Sequence, residues 1–221
     1  MRALSGLIKR DLLLALRSGG TWAHGLVFFA VFLALCAIAL GGETSVIRPL
    51  APALIWLALV LSLLFSFEQL FAGDVEDGSL EQIRLSGLPL THYVSGKCIV
   101  HWLLTVVPLL AALPIAGLFY NLSMATSAGL FFTILIASPA LIIYGAFSGA
   151  CLTGYKGGGV LLVLLTTPLL IPVLMFAIEG VLSYEKAGLG AMEFQALSGL
   201  SLIALAIGIP ASAAALGATM E

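Results

Sequence analysis

The densest group of residues able to do chemistry lies between Asp74 and Pro89, where Asp74, Glu76, Asp77 and Glu81 crowd together ahead of Arg84. Charge is scarce elsewhere: 9% of the 221 residues are charged and the formal net charge is −2. Within this stretch Ser79-x-x-Gln82 reads as a capping box, Glu81 falls in the first turn where the helix dipole favours a carboxylate, and Gly87 followed by Pro89 ends the run. The pattern predicts a two-turn helix with Leu80 and Ile83 on one apolar edge. So short a helix is marginal on propensity alone and must pack on something. It reads either as a docking element for a partner or as a loop helix resting on its own bundle.

No catalytic pattern accompanies those carboxylates. H-E-x-x-H and G-x-S-x-G are absent, and no pair of Asp faces each other within an apolar segment. A phosphate-binding G-x-x-x-x-G-K-[ST] is absent too: Gly96-Lys97 is followed by Cys98 and preceded at the required spacing by Thr91, and Gly154-Tyr-Lys156 has the wrong order. An intramembrane enzyme is therefore disfavoured, and so is a passive channel, since no segment carries a run of polar residues to line a pore. Cys36, Cys98 and Cys151 are far apart and read as small buried hydrophobes. His24, beside Trp22, and His101, one turn after Lys97, invite a haem-ligand reading. Their places at segment boundaries suit interfacial side chains without a metal. Glu68 and Glu179 stand near the ends of apolar segments, where an ionisable group is a functional candidate. Glu68 is expected to brace the short helix against Arg84 or the N-terminal arm, and Glu179 to face an interface or an outward cavity.

The elements that must position these residues follow from hydropathy. Hydrophobic residues make up 61% of the chain, more apolar surface than a soluble core of this length can hide. Six apolar segments near 22–41, 51–71, 94–118, 127–152, 159–180 and 195–217 match the ~20 residues needed to span a bilayer. The expected fold is an all-α membrane protein, one transmembrane domain over residues 1–221. Arg2, Lys9, Arg10, Arg17, Arg84, Lys97 and Lys156 fall in the N-terminal arm and alternate loops, with Arg48 and Lys186 in the others. The positive-inside rule then places both termini and the 72–91 segment in the cytoplasm. With so little net charge, no nucleic-acid partner is expected.

Residues 1–20 form an amphipathic helix for the membrane surface, with Leu4, Leu7, Ile8, Leu12 and Ala15 on one side and Arg2, Lys9, Arg10 and Arg17 on the other. They do not resemble a cleaved signal, since about twenty amphipathic residues precede the first apolar segment. Asp11 lies among the leucines and is expected to pair with a neighbouring helix or subunit. Pro108 and Pro114, and Pro168 and Pro172, predict kinks in the third and fifth segments. Gly145-x-x-x-Gly149 predicts close helix packing, within the chain or across a dimer.

Glu76-Asp-Gly-Ser-Leu-Glu-Gln82 resembles the signature of the cytochrome c maturation protein B family, also called haem exporter protein B. Pro52-Ala-Leu-Ile-Trp56, Phe67-Glu-Gln-Leu-Phe71, Lys97-x-x-x-His-Trp102, Gly158-Gly-Val-Leu-Leu162 and Pro168-Leu-Leu-Ile-Pro-Val-Leu174 are similar to the family pattern as well. The resemblance implies a six-span, exporter-type permease subunit of an ATP-binding-cassette complex in the bacterial inner membrane. By it, Glu76, Asp77, Gly78, Ser79, Leu80, Glu81, Gln82 and Ile83 form the coupling helix that enters a cleft of a separate ATPase, beside the N-terminal connecting helix. The chain itself would be non-catalytic and bind no cofactor, with ATP and magnesium on two ATPase copies and haem on partner proteins. A second copy of the permease, a haem-handling membrane protein and a haem chaperone complete the implied complex, whose output is release of the loaded chaperone. Direct export of haem or a reductant is the alternative.

Overall fold

A computed structural model describes residues 2–17, 23–153 and 158–219. Trp22, Gly154 and Lys156 lie outside them, as do the side chains of Arg2 and Arg17. Among the described residues every regular element is a helix: α1 (Arg2–Arg17), α2 (Ala23–Ala39), α3 (Thr44–Phe67), α4 (Gln69–Glu76), α5 (Ser79–Leu85), α6 (Leu90–Phe119), α7 (Met124–Leu152), α8 (Gly159–Ala187), α9 (Met192–Ile203) and α10 (Ile209–Thr219). In lipid a chain must satisfy its backbone polar groups internally, and a helix does so within one segment.

Five stretches are long and apolar enough to cross a membrane: Thr44–Glu76, Leu90–Phe119, Met124–Leu152, Gly159–Gly190 and Met192–Thr219. The chain is a multi-pass membrane protein. The first expected span, 22–41, is the shorter helix α2 of 17 residues, about 25 Å at the helical rise and less than the ~30 Å hydrocarbon core. The second begins earlier than expected, since α3 starts at Thr44 and contains Pro49 and Pro52 within its helix. The last is interrupted by a π-helical turn at Ala204–Gly208. Pro210, two residues later, has no N–H to return to the helix, which favours the wider turn. Around Pro108, Pro114, Pro168 and Pro172, α6 and α8 run on unbroken.

The elements alternate between two ends of the bundle. At one end a Cβ built on Gly217 of α10 would meet Leu90 at the start of α6 at 3.7 Å, and α1 packs beside the same part of α6. At the other end Glu185 of α8 accepts hydrogen bonds from Ser123 at 3.0 Å and Thr126 at 3.1 Å at the start of α7. Tyr120 there donates to the Leu33 carbonyl of α2 at 2.8 Å. The core centres on α3 and α7, which bury most of their apolar windows, while α6 and α8 expose theirs.

Between α3 and α7 the Gly145-x-x-x-Gly149 pair acts within the chain. A Cβ built on Gly145 would overlap the Phe67 ring, and one on Gly149 would stand 3.1 Å from the Phe67 carbonyl. Van der Waals packing of this kind holds helices together where lipid removes the hydrophobic difference. Gly145→Ala is therefore expected to destabilise the protein by the ~1–3 kcal/mol of core overpacking. Gly199→Ala, where a Cβ meets nothing within 4 Å, is expected to leave the thermal midpoint in detergent nearly unchanged.

Candidate functional site

The acidic stretch forms α4 and α5, joined by Asp77 and Gly78. Gly78 has φ +73°, a left-handed conformation that glycine adopts without Cβ strain, and it breaks the helix between α4 and α5. That turn changes the predicted cap. Ser79 is the first helical residue rather than the cap, and the Asp77 carboxylate accepts the Ser79 N–H at 2.8 Å. This hydrogen bond holds the Asp77 carboxyl below the ordinary carboxylate range. The Ser79 hydroxyl turns back to the Asp74 carbonyl at 3.5 Å. Gly87, at φ +77°, ends α5 as expected, its N–H donated to the Arg84 carbonyl at 3.1 Å.

Leu80 anchors the short helix in the core with 2% exposure, and Ile83 packs partly against the same cluster. Glu76, Asp77, Glu81, Gln82 and Arg84 remain exposed, and Leu85 is 79% exposed. The helix therefore rests on its own bundle by one edge. Its other faces present acid around one large apolar side chain.

Beneath this helix is a closed ring of four charges. Asp11 and Arg10 come from α1, Asp74 from α4 and Lys97 from α6. Arg10 Nε lies 2.8 Å from Asp11 Oδ1, and Lys97 Nζ 3.2 Å from Asp11 Oδ2. Lys97 Nζ then lies 2.6 Å from Asp74 Oδ2, and Arg10 Nη2 closes the ring at 3.5 Å from Asp74 Oδ1. Tyr93, fully buried on α6, donates its hydroxyl to Asp74 Oδ2 at 2.6 Å. Burial works against the Arg10 charge, but the hydrogen bond and attraction from Asp11, with the field of Asp74, raise its pKa above the ordinary value. Asp11, only 8% exposed on the apolar side of α1, finds its partner on α6. The helix can sit that close because a Cβ at Gly96 of α6 would stand 2.9 Å from Leu7 and 3.2 Å from Leu4.

The other candidates are not brought to this ring. Glu68 is not ion-paired with Arg84. It points at the start of α8, where a Cβ on Gly159 would come within 3.1 Å of Oε2, a place where helix N–H groups favour a carboxylate. His101 lies within α6, its ring 5.6 Å from that of Phe67 and its Nε2 3.0 Å from Ser66 Oγ. Since Ser66 gives its one proton to the Leu63 carbonyl at 2.6 Å, His101 Nε2–H is the donor. His24 is exposed at the start of α2, and Glu179 is exposed on α8. Pro168 and Pro172 lie within α8, away from the acidic stretch. Among the described residues no group of three His, Cys, Asp or Glu could hold a metal ion.

A sequence model of one family, described as CcmB protein, matches residues 2–219. The chain belongs to the CcmB family. It is 39% identical over 220 residues to Heme exporter protein B of Bradyrhizobium diazoefficiens, covering 98% of both chains. It is also 42% identical over 183 residues to Heme exporter protein B of Haemophilus influenzae, covering 83% of this chain and 81% of that one. The match to Heme exporter protein B of Escherichia coli K12 is 35% over 171 residues, covering 77% and 78%.

In this CcmB chain the ring unites residues that sequence reasoning treated separately or passed over. Tyr93 and the pairing of Arg10 with Asp74 were not foreseen. The available sign was charge balance: two acids and two bases, each in or beside an apolar segment, need one another. Lys97→Met should leave two carboxylates facing one cation and destabilise the protein by the ~3–5 kcal/mol typical of a broken buried pair. Adding Asp11→Asn should recover a large part by restoring neutrality, and Tyr93→Phe should cost ~1–3 kcal/mol. A double-mutant cycle on chemical denaturation in detergent measures all three.

Proposed function

We propose that this chain is a six-crossing, non-catalytic permease subunit of an ATP-binding-cassette complex, whose coupling element is the Glu76–Ile83 segment. The observation that carries the reading is the exposed acidic helix with Leu85 at its end, fastened by Leu80 to the bundle and by Asp74 to the charge ring. Its acids and apolar tip suit a cleft on a partner ATPase, which would supply the nucleotide chemistry that this chain's motifs do not provide. A push on α5 reaches Asp74 within five residues, and from Asp74 the ring carries it to α1 and α6. ATPases of this class work as a pair, so two permease copies and two ATPases make the complex, in a bacterial inner membrane with both termini cytoplasmic.

The relatives carry the name Heme exporter protein B, which ties the work to haem. In our reading ATP hydrolysis releases a haem-loaded chaperone from a haem-handling membrane partner during cytochrome c maturation. The relatives' name also favours a second reading, in which haem or a reductant itself crosses through this subunit. Vesicles reconstituted with the ATPase separate the two: ATP-dependent accumulation of haem inside them, with no chaperone present, supports direct export.

Reversing charge at Asp77 and Glu81 together is expected to abolish co-purification of the ATPase while the variant stays in the membrane in normal amount. Undiminished association and ATPase activity would exclude docking through α5. A cysteine at Ser79 is expected to react with an impermeant thiol reagent only in opened cells. Labelling in sealed cells would place the segment on the wrong side.

A further inference from the structure

A cavity of about 260 Å³ lies between α1, α2, α3, α4 and α6, and its polarity changes along its length. Asp11 and Lys97 line one end, His101 and Ser66 follow, then Thr105 and Ser62, and Pro108 and Leu109 of α6 lie farthest from Lys97. From Lys97 to Leu109 is about 18 Å along the helix. The gradient from charge to hydrocarbon is that of an amphiphile.

The donor inventory says which kind. Ser62 donates its hydroxyl proton to the Ala58 carbonyl at 2.7 Å, Ser66 to Leu63 at 2.6 Å and Thr105 to His101 at 2.7 Å. Each hydroxyl has one proton, so these oxygens have only lone pairs left to offer the cavity. His101 donates Nε2–H to Ser66 at 3.0 Å, leaving Nδ1 as an acceptor. Asp11 Oδ2 is buried, 3.2 Å from Lys97 Nζ, and makes no hydrogen bond. Lys97 is already held between Asp11 and Asp74. An anionic group at the level of Ser66 and His101 would meet mostly lone pairs, whereas His24 and Gln69 bring N–H donors to another part of the lining. A cation with several N–H donors would complete those lone pairs.

We propose that this cavity binds an amphiphile with a primary ammonium head, an ethanolamine phospholipid, taken from the leaflet on which α1 lies. The ammonium group sits against Asp11, His101 and Ser66, a chain runs toward Pro108 and Leu109, and His24 of α2 offers an N–H to the phosphate. The inference does not depend on the ATPase reading, and its test uses the permease alone.

The intact protein is exchanged into nanodiscs of ethanolamine, N-methylated ethanolamine, choline or glycerol phospholipids with the same chains, and the lipids retained are measured by native mass spectrometry. Retention of the ethanolamine lipid is expected to exceed that of the choline lipid by about tenfold, the fold-change of one charge-assisted hydrogen bond, with the N-methylated lipids graded between them. Ser66→Ala and Thr105→Val, which leave the charge ring intact, are expected to reduce that preference, and Asp11→Asn to abolish it. Soluble phosphoethanolamine should compete only far above the lipid's concentration. Equal retention of all headgroups, preference for the glycerol lipid, unchanged preference in all three variants, or equal competition by soluble phosphoethanolamine would each overturn the proposal.

Discussion

Two carboxylates and a lysine are largely buried where α1, α4 and α6 meet, with the half-exposed Arg10 closing their ring, and the layout of this end of the molecule follows from their need for one another. A buried ion network adds little net stability over apolar packing of the same shape, because desolvation offsets most of the attraction. Its strength lies in what it forbids. If α1 lifts from α6, the Arg10–Asp11 and Lys97–Asp74 pairs each stay neutral but lose the two contacts that join them, in a poorly solvated place. The ring therefore fixes the register of an interfacial helix against two other elements. Asp74 stands four residues before Gly78, the cap of α5, so the exposed acidic helix inherits that fixed position.

Elsewhere the bundle is held by close approach. Gly96 admits Leu4 and Leu7, Gly145 and Gly149 admit Phe67, and Gly208 in the π-helical turn lies so close to α7 that a Cβ would overlap Ile143. Each contact joins helices distant in sequence. Such contacts matter more in a bilayer than in water, because lipid competes equally for apolar side chains and only fit distinguishes a neighbouring helix. The far end is tied instead by polar groups, with Tyr120 reaching α2 and Glu185 reaching the start of α7.

In the complex we propose, the acidic surface of α5 and the charge ring would divide the work. One faces outward and can be recognised by a partner. The other faces inward and, in the proposed complex, would pass a push on α5 to α1, α4 and α6. The amphipathic cavity shares Asp11 and Lys97 with the ring, so a lipid bound there would touch the same residues that position the exposed acidic helix.

The helical class, the apolar segments and the acidic two-turn helix were legible in the sequence, because each depends on local composition, periodicity and turn residues. Gly87 ended α5 where its residue type said it would, and Asp11 stood out as a charge on an apolar face. What could not be read was which distant groups meet. Lys97 was one of several loop cations and makes two ion pairs with carboxylates on other helices; Glu68 seemed suited to Arg84 and lies against α8; nothing in the sequence joined His101 to Ser66. Ser79 looked like a cap, but the left-handed Gly78 holds that place and Asp77 accepts the Ser79 N–H. Sequence by itself settled the elements, since a helix in lipid closes its own hydrogen bonds. Only the tertiary structure decided the partners, because pairing buried charges and seating rings on glycines depend on how helices far apart in the chain are brought side by side.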